Sequence, residues 1–244
     1  MILLLTGCIN PDGMAYTTLS NQEERREQYI LAIHYYLSET NYPIVFAENS
    51  NTDISNLFKS EITSGRIECL TFSGNQNKER GKGYGECEII QYALDNSRLI
   101  NSVKDQRVVK ITGRIIVKNI SAIIRCHQYL FSIRTVFCSI NSDLSFPDSR
   151  IIMAPIAFYR EFLKAKEEIN DLKGYYFEHA LRDTLKQGKT FPYSPFLFMP
   201  QIEGISGSTG EVYTEKPMSI SFYIRYLKYA ISLRKSFNRR YRQK

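Results

Sequence analysis

The segment Ile2-Leu3-Leu4-Leu5-Thr6-Gly7 decides the fold, because it joins a short apolar run to a polar end. Four consecutive apolar residues are typical of a strand that is buried on both faces. Similar runs occur at Ile44–Ala47, Ile67–Phe72 and Val108–Ile111. Strands of this kind predict a mostly parallel sheet that is covered by helices on both faces.

The stretches between these runs have the spacing of amphipathic helices. Ser20–Glu23 is a capping-box sequence, which is typical of a helix start. Tyr29, Ile33 and Tyr36 follow on one helical face, and Ile89–Leu94 form a second apolar face. The alternation of strand and helix predicts an α/β fold of the layered type.

The second half of the chain is less regular. Thr135–Ile140 has the composition of a strand, and the spacing within Phe158–Ile169 and Tyr176–Leu185 predicts two helices. The glycine- and serine-rich stretch 204–210 is expected to be a mobile loop. A last helix is predicted to begin near Pro217.

The amino-acid composition argues against several classes of protein. With 43% hydrophobic and 23% charged residues, the 244-residue chain is not disordered as a whole. No run of about 18 apolar residues occurs, which argues against a helix that spans a membrane. Ile2–Leu5 are too few for a signal peptide, so a cytoplasmic location is expected. Five cysteines without a Cys-x-x-Cys pair, and three widely spaced histidines, favour neither disulfides nor a metal site.

The net charge of +7 is concentrated at the carboxyl terminus. Residues 221–244 carry 8 of the 32 basic residues and no acidic residue, so the other 220 residues carry 24 basic and 25 acidic groups. We therefore divide the chain into an α/β domain at 1–219 and a basic amphipathic helix at 220–244. Such a helix is typical of binding to an anionic membrane. A helix packed on the domain, or a tail that binds nucleic acid, are the alternatives.

Polar residues follow three of the predicted strands, and these are the first candidate site. They are Thr6 and Gly7, then Glu48 and Asn49, then Thr112, Gly113 and Arg114. In open α/β sheets, ligands bind beyond the carboxyl ends of the strands. An arginine there suits phosphate or carboxylate, although an ordinary salt bridge is equally consistent with Arg114 alone.

A second candidate is the glycine-rich stretch Gly81-Lys82-Gly83-Tyr84-Gly85-Glu86, which precedes a predicted helix. Glycines let backbone amides approach a phosphate. The positive potential at the amino end of a helix favours the negative charge of that phosphate. Lys82 would add a point charge. The spacing matches neither a P-loop nor a dinucleotide fingerprint, so a turn at a helix start remains the alternative.

Two carboxylates are candidates for acid–base chemistry. Glu178 lies in the aromatic segment Tyr175–His179, where a raised pKa would suit a general base. The alternative is a solvent-facing pair with Arg182. Asp148 lies with Arg150 in a loop after Pro147 and is either a ligand-binding carboxylate or a helix cap.

These motifs, in this order, resemble those of bacterial glycosyltransferases of O-antigen, capsule and lipooligosaccharide synthesis. The resemblance rests on the amino-terminal Leu-Thr-Gly and on stretches at 46–50, 81–86, 110–114, 148–150, 176–179 and around 207. It implies a GT-A-like fold with a nucleotide-sugar donor and an inserted acceptor region. Many such enzymes bind a divalent metal, Mg²⁺ or Mn²⁺, through Asp-x-Asp, which does not occur here. We therefore expect Arg114 and Lys82 to neutralise the donor diphosphate.

The resemblance implies a mechanism. Glu178 would be the base, with Asp148 as the alternative, and Glu48 and Asn49 would bind the nucleoside. Thr6, Gly7, Gly83, Tyr84, Gly85, Thr112, Gly113 and Arg150 complete the expected donor site. The acceptor would be a lipid-linked glycan at the inner face of the membrane. A sugar nucleotidyltransferase, and a non-catalytic module that binds nucleic acid through its tail, are the competing functions.

Overall fold

The computed structural model describes residues 1–14, 17–102, 107–187, 190–207, 209–214 and 219–241. Its strands, in chain order, are β1 (Ile2–Gly7), β2 (Ile44–Glu48), β3 (Ile67–Thr71), β4 (Arg107–Thr112), β5 (Ile116–Val117), β6 (Val136–Phe137), β7 (Ile151–Pro155), β8 (Tyr193–Ser194), β9 (Ile202–Ile205) and β10 (Val212–Tyr213). Its α-helices are α1 (Gln22–Glu39), α2 (Lys59–Thr63), α3 (Lys82–Asn96), α4 (Arg98–Asn101), α5 (Ile120–Leu130), α6 (Ile156–Phe162), α7 (Phe177–Gln187) and α8 (Ile220–Tyr241).

A central sheet runs through the described part of the chain in the order β3-β2-β1-β4-β7-β6-β8. β1 pairs in parallel with both β2 and β4, and β2 pairs in parallel with β3. β7 is antiparallel to β4 and β6, and β6 is parallel to β8. The chain therefore has the predicted α/β fold with a mostly parallel sheet flanked by helices.

Helices pack against both faces of β1 and form the two outer layers of the fold. Ile2 and Leu4 belong to one apolar cluster, with α3, α6 and α7, and Leu3 and Leu5 belong to the other, with α1 and α5. All six residues of β1 are buried, as expected of a parallel strand between two helical layers. Burial on both faces is the physical reason that its sequence is apolar without alternation.

The strand order reverses beside β1, and this positions the site. From β1 the chain moves outward through β2 to β3 and then returns to the other side of β1 at β4. A crevice forms at such a switch point, outside the carboxyl ends of the strands. Gly113 lies at this crevice, where its amide donates to the Thr6 carbonyl over 2.8 Å. A Cβ on Gly113 would come within 2.7 Å of that carbonyl oxygen, so the contact requires glycine.

Several predicted elements differ in extent. The capping residue of α1 is Asn21, whose Oδ1 accepts the Glu24 amide over 3.0 Å. Of Thr135–Ile140, only Val136 and Phe137 form a strand. The 204–210 loop begins within β9, which pairs with both β5 and β10 in a small second sheet, and residue 208 lies outside the described residues.

The carboxyl-terminal helix is present as α8, but its observed start is Ile220. Pro217, where the sequence predicts the start, lies outside the described residues. Across the described ranges, no helix combines the length and apolar character needed to cross a membrane.

Candidate functional site

A cavity of about 860 Å³ opens at the carboxyl ends of β1 and β4. It collects residues that lie far apart in the sequence. Of the fourteen predicted site residues, eleven line it: Thr6, Gly7, Asn49, Lys82, Gly83, Gly85, Thr112, Arg114, Asp148, Arg150 and Glu178. Polar residues that follow different strands therefore meet at one place, as the order of the strands requires.

Glu48, which was predicted to bind the nucleoside, does not line the cavity, because its carboxylate faces inward. Glu48 is fully buried. Its oxygens accept the amides of Ile9, Ser50 and Thr52 at 2.8–2.9 Å. Glu48 therefore joins the loop after β1 to the loop after β2, and it shapes the cavity wall from behind.

Two other predicted residues also lie outside the cavity lining. The Tyr84 hydroxyl donates to Glu167 over 3.2 Å, and the Arg80 guanidinium carbon lies 4.1 Å from the Tyr84 ring centroid. Gly113 supplies the close contact between β4 and β1 described above. Both residues therefore support the walls without lining the cavity itself.

The glycine-rich stretch does not precede the helix as predicted; it forms the first turn of α3, which begins at Lys82. The amide of Gly83 donates to Asp171 Oδ2 over 3.1 Å. Because this carboxylate already binds the helix amino end, the predicted phosphate site at these amides is occupied by the protein's own anion. Burial raises the pKa of Asp171, and its hydrogen bonds oppose that shift.

Asn49 has an unusual environment in the cavity wall. Its side chain is 1% exposed, and neither Oδ1 nor Nδ2 has a hydrogen-bond partner. An unpaired buried amide costs free energy unless a ligand completes it. Asn49 therefore holds an unused N–H donor group and an unused carbonyl acceptor in the wall of the cavity.

Two buried arginines line the cavity without a carboxylate partner. Arg25, from α1, donates Nε to the Cys8 carbonyl over 2.9 Å and Nη1 to the Leu19 carbonyl over 3.0 Å. Arg114 donates to the Ile205 carbonyl and, over 3.4 Å, to Gln28. Within the described ranges neither forms a salt bridge, although both are at least nine-tenths buried.

Arg25 and Arg114 also act on each other. Burial lowers the pKa of Arg114, and the nearby charge of Arg25 lowers it further. Burial raises the pKa of Tyr29, and the charges of both Arg25 and Arg114 oppose that shift. Holding two like charges together in a buried place costs free energy unless an anion joins them. The pair is therefore suited to bind a multiply charged anion such as a diphosphate.

Two further cations of the cavity, Lys110 and Arg150, have carboxylate partners. Lys110 Nζ lies 2.5 Å from Glu86 and donates to the Ser149 carbonyl over 2.7 Å. Arg150 forms a bidentate pair with Asp148, at 2.9 and 2.6 Å, and this pair raises the pKa of Arg150. Since Asp148 is occupied by Arg150, it is poorly placed to act as a base.

Glu178 lies in the first turn of α7 and accepts the Ser149 hydroxyl over 2.5 Å. The predicted alternative, a pair with Arg182, is wrong, because Arg182 pairs with Asp183 at 2.8 Å. Glu178 instead lines the cavity. It is the described carboxylate of the cavity that neither pairs with a cation nor caps a helix.

An aromatic cluster borders the cavity next to Glu178. Phe146 and Tyr176 both line the cavity, yet 43% and 37% of their surfaces are exposed. The His179 ring lies between them, with centroids 5.6 Å from Phe146 and 5.3 Å from Tyr176. We call Phe146, Tyr176 and His179 the aromatic rim. Exposed aromatic surface at a cavity mouth is typical of a binding site.

Among the described residues, no three His, Cys, Asp or Glu side chains lie together as a metal site would require. The strongest site features missed by sequence reasoning are Arg25, Glu86, Lys110 and Asp171. The sequence gives one indication that Arg25 is buried: it lies four residues before Tyr29, on the apolar face of α1. For Asp171 it gives none, since the contact of Asp171 with α3 spans 88 residues of sequence.

No protein-family model matches the sequence, and no curated protein matches it. Among solved structures, the fold is similar to that of a cytidylyltransferase from Leptospira borgpetersenii serovar Hardjo-bovis (strain JB197). The TM-score is 0.46 and the identity is 12%, over 100% of this chain and 98% of that chain. A likeness this distant assigns no activity, and none of these comparisons supports an O-antigen or capsule family.

Proposed function

We propose that this protein is a transferase that acts on a nucleotide-linked sugar and moves the sugar to a glycan hydroxyl. The observation that carries the proposal is that one cavity holds two arginines and one carboxylate, Glu178, none of which forms a salt bridge within the described residues. The pair of Arg25 and Arg114 suits the diphosphate of a donor. Glu178 suits the proton that the acceptor hydroxyl must lose.

The donor contacts follow from the chemistry of the cavity wall. The free donor and acceptor of Asn49 would pair with the base of the nucleotide. The diphosphate would lie against Arg25 and Arg114, with Lys82 beside it. Burial lowers the pKa of Lys82, and the charges of Asp171 and Glu178 oppose that shift. Preorganised cations of this kind stabilise the charge that develops on a leaving group.

The reaction would be a single displacement at the anomeric carbon. The acceptor hydroxyl gives its proton to Glu178 as its oxygen forms a bond to that carbon. The bond between the carbon and the diphosphate oxygen breaks, and its electrons remain with the nucleoside diphosphate. Arg25 and Arg114 neutralise the departing charge. Displacement with a base inverts the anomeric configuration, so inversion is the expected outcome.

The first test is a thermal-shift screen against nucleoside diphosphates, nucleotide sugars and triphosphates, each with and without Mg²⁺. We expect one nucleoside diphosphate and its sugar conjugate to stabilise the protein. At about 100 times its dissociation constant, such a ligand adds about 2.7 kcal/mol to the free energy of unfolding. The absence of a shift with any nucleotide would contradict the proposal and favour the non-catalytic nucleic-acid-binding module.

The number of cationic side chains favours a second candidate, a sugar nucleotidyltransferase. Five cationic side chains line the cavity, which is more than one diphosphate needs: Arg25, Lys82, Lys110, Arg114 and Arg150. A nucleoside triphosphate would engage more of them. In the same screen this function predicts a response to one triphosphate that requires Mg²⁺, together with release of pyrophosphate in the presence of a sugar phosphate.

The aromatic rim is the proposed place of the acceptor sugar. The C–H bonds on the apolar face of a pyranose carry partial positive charge, which suits the negative face of an aromatic ring. Because Tyr176 and Glu178 both line the cavity, a sugar stacked on Tyr176 would lie in the same cavity as the carboxylate.

We expect Phe146→Ala and Tyr176→Ala each to raise the acceptor KM roughly tenfold, because each removes stacking and apolar contact of about 1.4 kcal/mol. The donor KM should not change. Initial rates measured against acceptor and donor concentration check this. Leu57→Ala is the control, since Leu57 is similarly exposed, at 42%, and lies outside the cavity. A change in the donor KM alone would contradict the assignment.

A further inference from the structure

We infer that α8 and the two segments packed beside it form a surface that binds an anionic membrane. The surface comprises exposed apolar side chains of α8 and of the segments 129–133 and 198–199, together with the basic side chains of α8. We call it the α8 surface. The inference concerns binding to lipid and does not require that the proposed function is correct.

The helix α8 has a buried face and a separate exposed apolar face. Ala230, Leu233 and Phe237 are buried against the domain. Ile220, Ile224, Leu227 and Ile231 form a different stripe, with exposed fractions of 81%, 52%, 40% and 43%. The stripe follows the helical spacing of i, i+4, i+7 and i+11, so it is continuous along the helix. The domain therefore leaves a second apolar face of α8 uncovered.

Basic side chains border this stripe. At 100° per residue, Lys228, Lys235, Arg239 and Arg225 fall on the side of the helix next to the stripe, and all four are exposed. Residues 220–241 contain no acidic residue. Charge and exposed apolar surface thus coincide, which is the pattern of a helix that lies in the membrane interface.

The exposed apolar residues of the described chain are concentrated at this place. Ten of the sixteen large exposed hydrophobic side chains belong to α8 or to the two segments beside it. Arg234 of α8 lies 5.0 Å from the Phe131 ring centroid, and Tyr226 donates to the Phe196 carbonyl over 3.1 Å. The ten are Tyr129, Leu130, Ile133, Phe198, Met199, Ile220, Ile224, Leu227, Tyr229 and Ile231.

An anionic lipid surface is the occupant that these features fit best. A protein partner would bury the apolar stripe but would not need a row of uncompensated cations beside it. A nucleic acid would use the cations but not the isoleucines. Anionic headgroups over an apolar layer satisfy both. Because the rest of the chain is close to neutral, the attraction is confined to this side of the molecule.

The α8 surface also borders the candidate site. A smaller cavity of about 190 Å³ is lined by Tyr226, Tyr229 and Leu233 of α8, and it shares Asp148 and Arg150 with the main cavity. A substrate anchored in the membrane would therefore enter the cavity from the side where the protein binds. This last step rests on the proposed function, whereas binding to vesicles does not.

The test is co-sedimentation of the full chain with two kinds of vesicle: phosphatidylcholine alone, and phosphatidylcholine with about 30% of anionic phosphatidylglycerol. We expect binding only to the anionic vesicles. Lys228→Gln with Lys235→Gln should weaken it about 30-fold, at about 1 kcal/mol for each charge. Ile224→Gln, Leu227→Gln and Ile231→Gln together should weaken it tenfold or more, on the order of 0.5–1 kcal/mol for each partly buried side chain.

Matched controls remove the same groups elsewhere. Lys59→Gln with Lys173→Gln removes two exposed lysines, and Leu31→Gln, Leu57→Gln and Leu172→Gln remove three exposed leucines. Equal loss in the controls, or equal binding by all variants, would overturn the inference. So would a dimer in sedimentation velocity without lipid that only the α8 apolar variant dissociates, because the surface would then join two copies of the chain.

Discussion

Glu178→Gln is expected to lower the rate of sugar transfer at least 100-fold while leaving donor affinity unchanged. Glutamine keeps the size of the side chain and its hydrogen bond to Ser149, but it cannot accept a proton at neutral pH. General-base catalysis contributes about 10²- to 10⁴-fold in rate. Steady-state transfer rates and a donor Kd, measured on the same preparation, check both halves of the expectation.

The structure offers matched comparisons for this variant. Glu211→Gln changes an exposed carboxylate outside the cavity lining and should leave the transfer rate unchanged. Asp148→Asn should raise the donor or acceptor KM more than it lowers kcat, because Asp148 holds Arg150 in place. A Glu178→Gln rate close to that of the unchanged protein, with full loss in Asp148→Asn, would reverse the assignment of the base.

The part of the fold that could be predicted from sequence is the part that one physical rule dictates. β1 and β2 are buried throughout, and β4 is buried apart from its last residue, so their apolar runs identify them directly. β3 lies at the edge of the sheet and is only partly buried. The short strand Val136–Phe137 is different, because its two residues pair through partners that arrive later in the chain. No local pattern carries that information.

The residues of the candidate site could likewise be predicted only in part. Thr6, Thr112 and Arg114 could be placed because polar residues after buried strands meet at one edge of a sheet. Glu48 meets that criterion too, but its carboxylate faces the backbone amides of two loops. Asp171 could not be found, since it reaches the first turn of α3 from a distant loop. Position along the chain predicts proximity, whereas the direction of a side chain depends on tertiary contacts.

Arg114→Gln is expected to weaken binding of the nucleoside diphosphate by roughly 30- to 150-fold, about 2–3 kcal/mol, with little change in the stability of the free protein. The loss follows from removing one of two charges that face the ligand. The small effect on stability follows from the environment of Arg114, which lies beside Arg25 and has no carboxylate partner among the described residues. Loss of its charge relieves repulsion in the free protein and offsets the loss of one hydrogen bond to the Ile205 carbonyl.

Arg107→Gln is the matched control, because Arg107 is also a buried arginine without a carboxylate partner among the described residues. Its guanidinium donates to the carbonyls of His127, Phe131, Ser132 and Ile133, and it does not line the cavity. Its replacement should lower the free energy of unfolding by about 2–4 kcal/mol, since several buried carbonyls lose their donor, and should leave ligand affinity unchanged.

Each variant is therefore expected to lower one of the two measured quantities, affinity for Arg114→Gln and stability for Arg107→Gln, and to leave the other nearly unchanged. Thermal or urea unfolding of the free protein gives the stability, and calorimetric titration with the nucleoside diphosphate found in the screen gives the affinity. The loop after β9 packs directly on the Arg114 guanidinium, because a Cβ on Gly207 would come within 2.1 Å of Arg114 Nη2. If Arg114→Gln destabilises the free protein as much as Arg107→Gln and leaves affinity unchanged, Arg114 is a structural residue and the diphosphate must bind elsewhere. If affinity falls while stability is unchanged, Arg114 is a binding residue. The two buried like charges then raise the free energy of the free protein and serve to bind the anion.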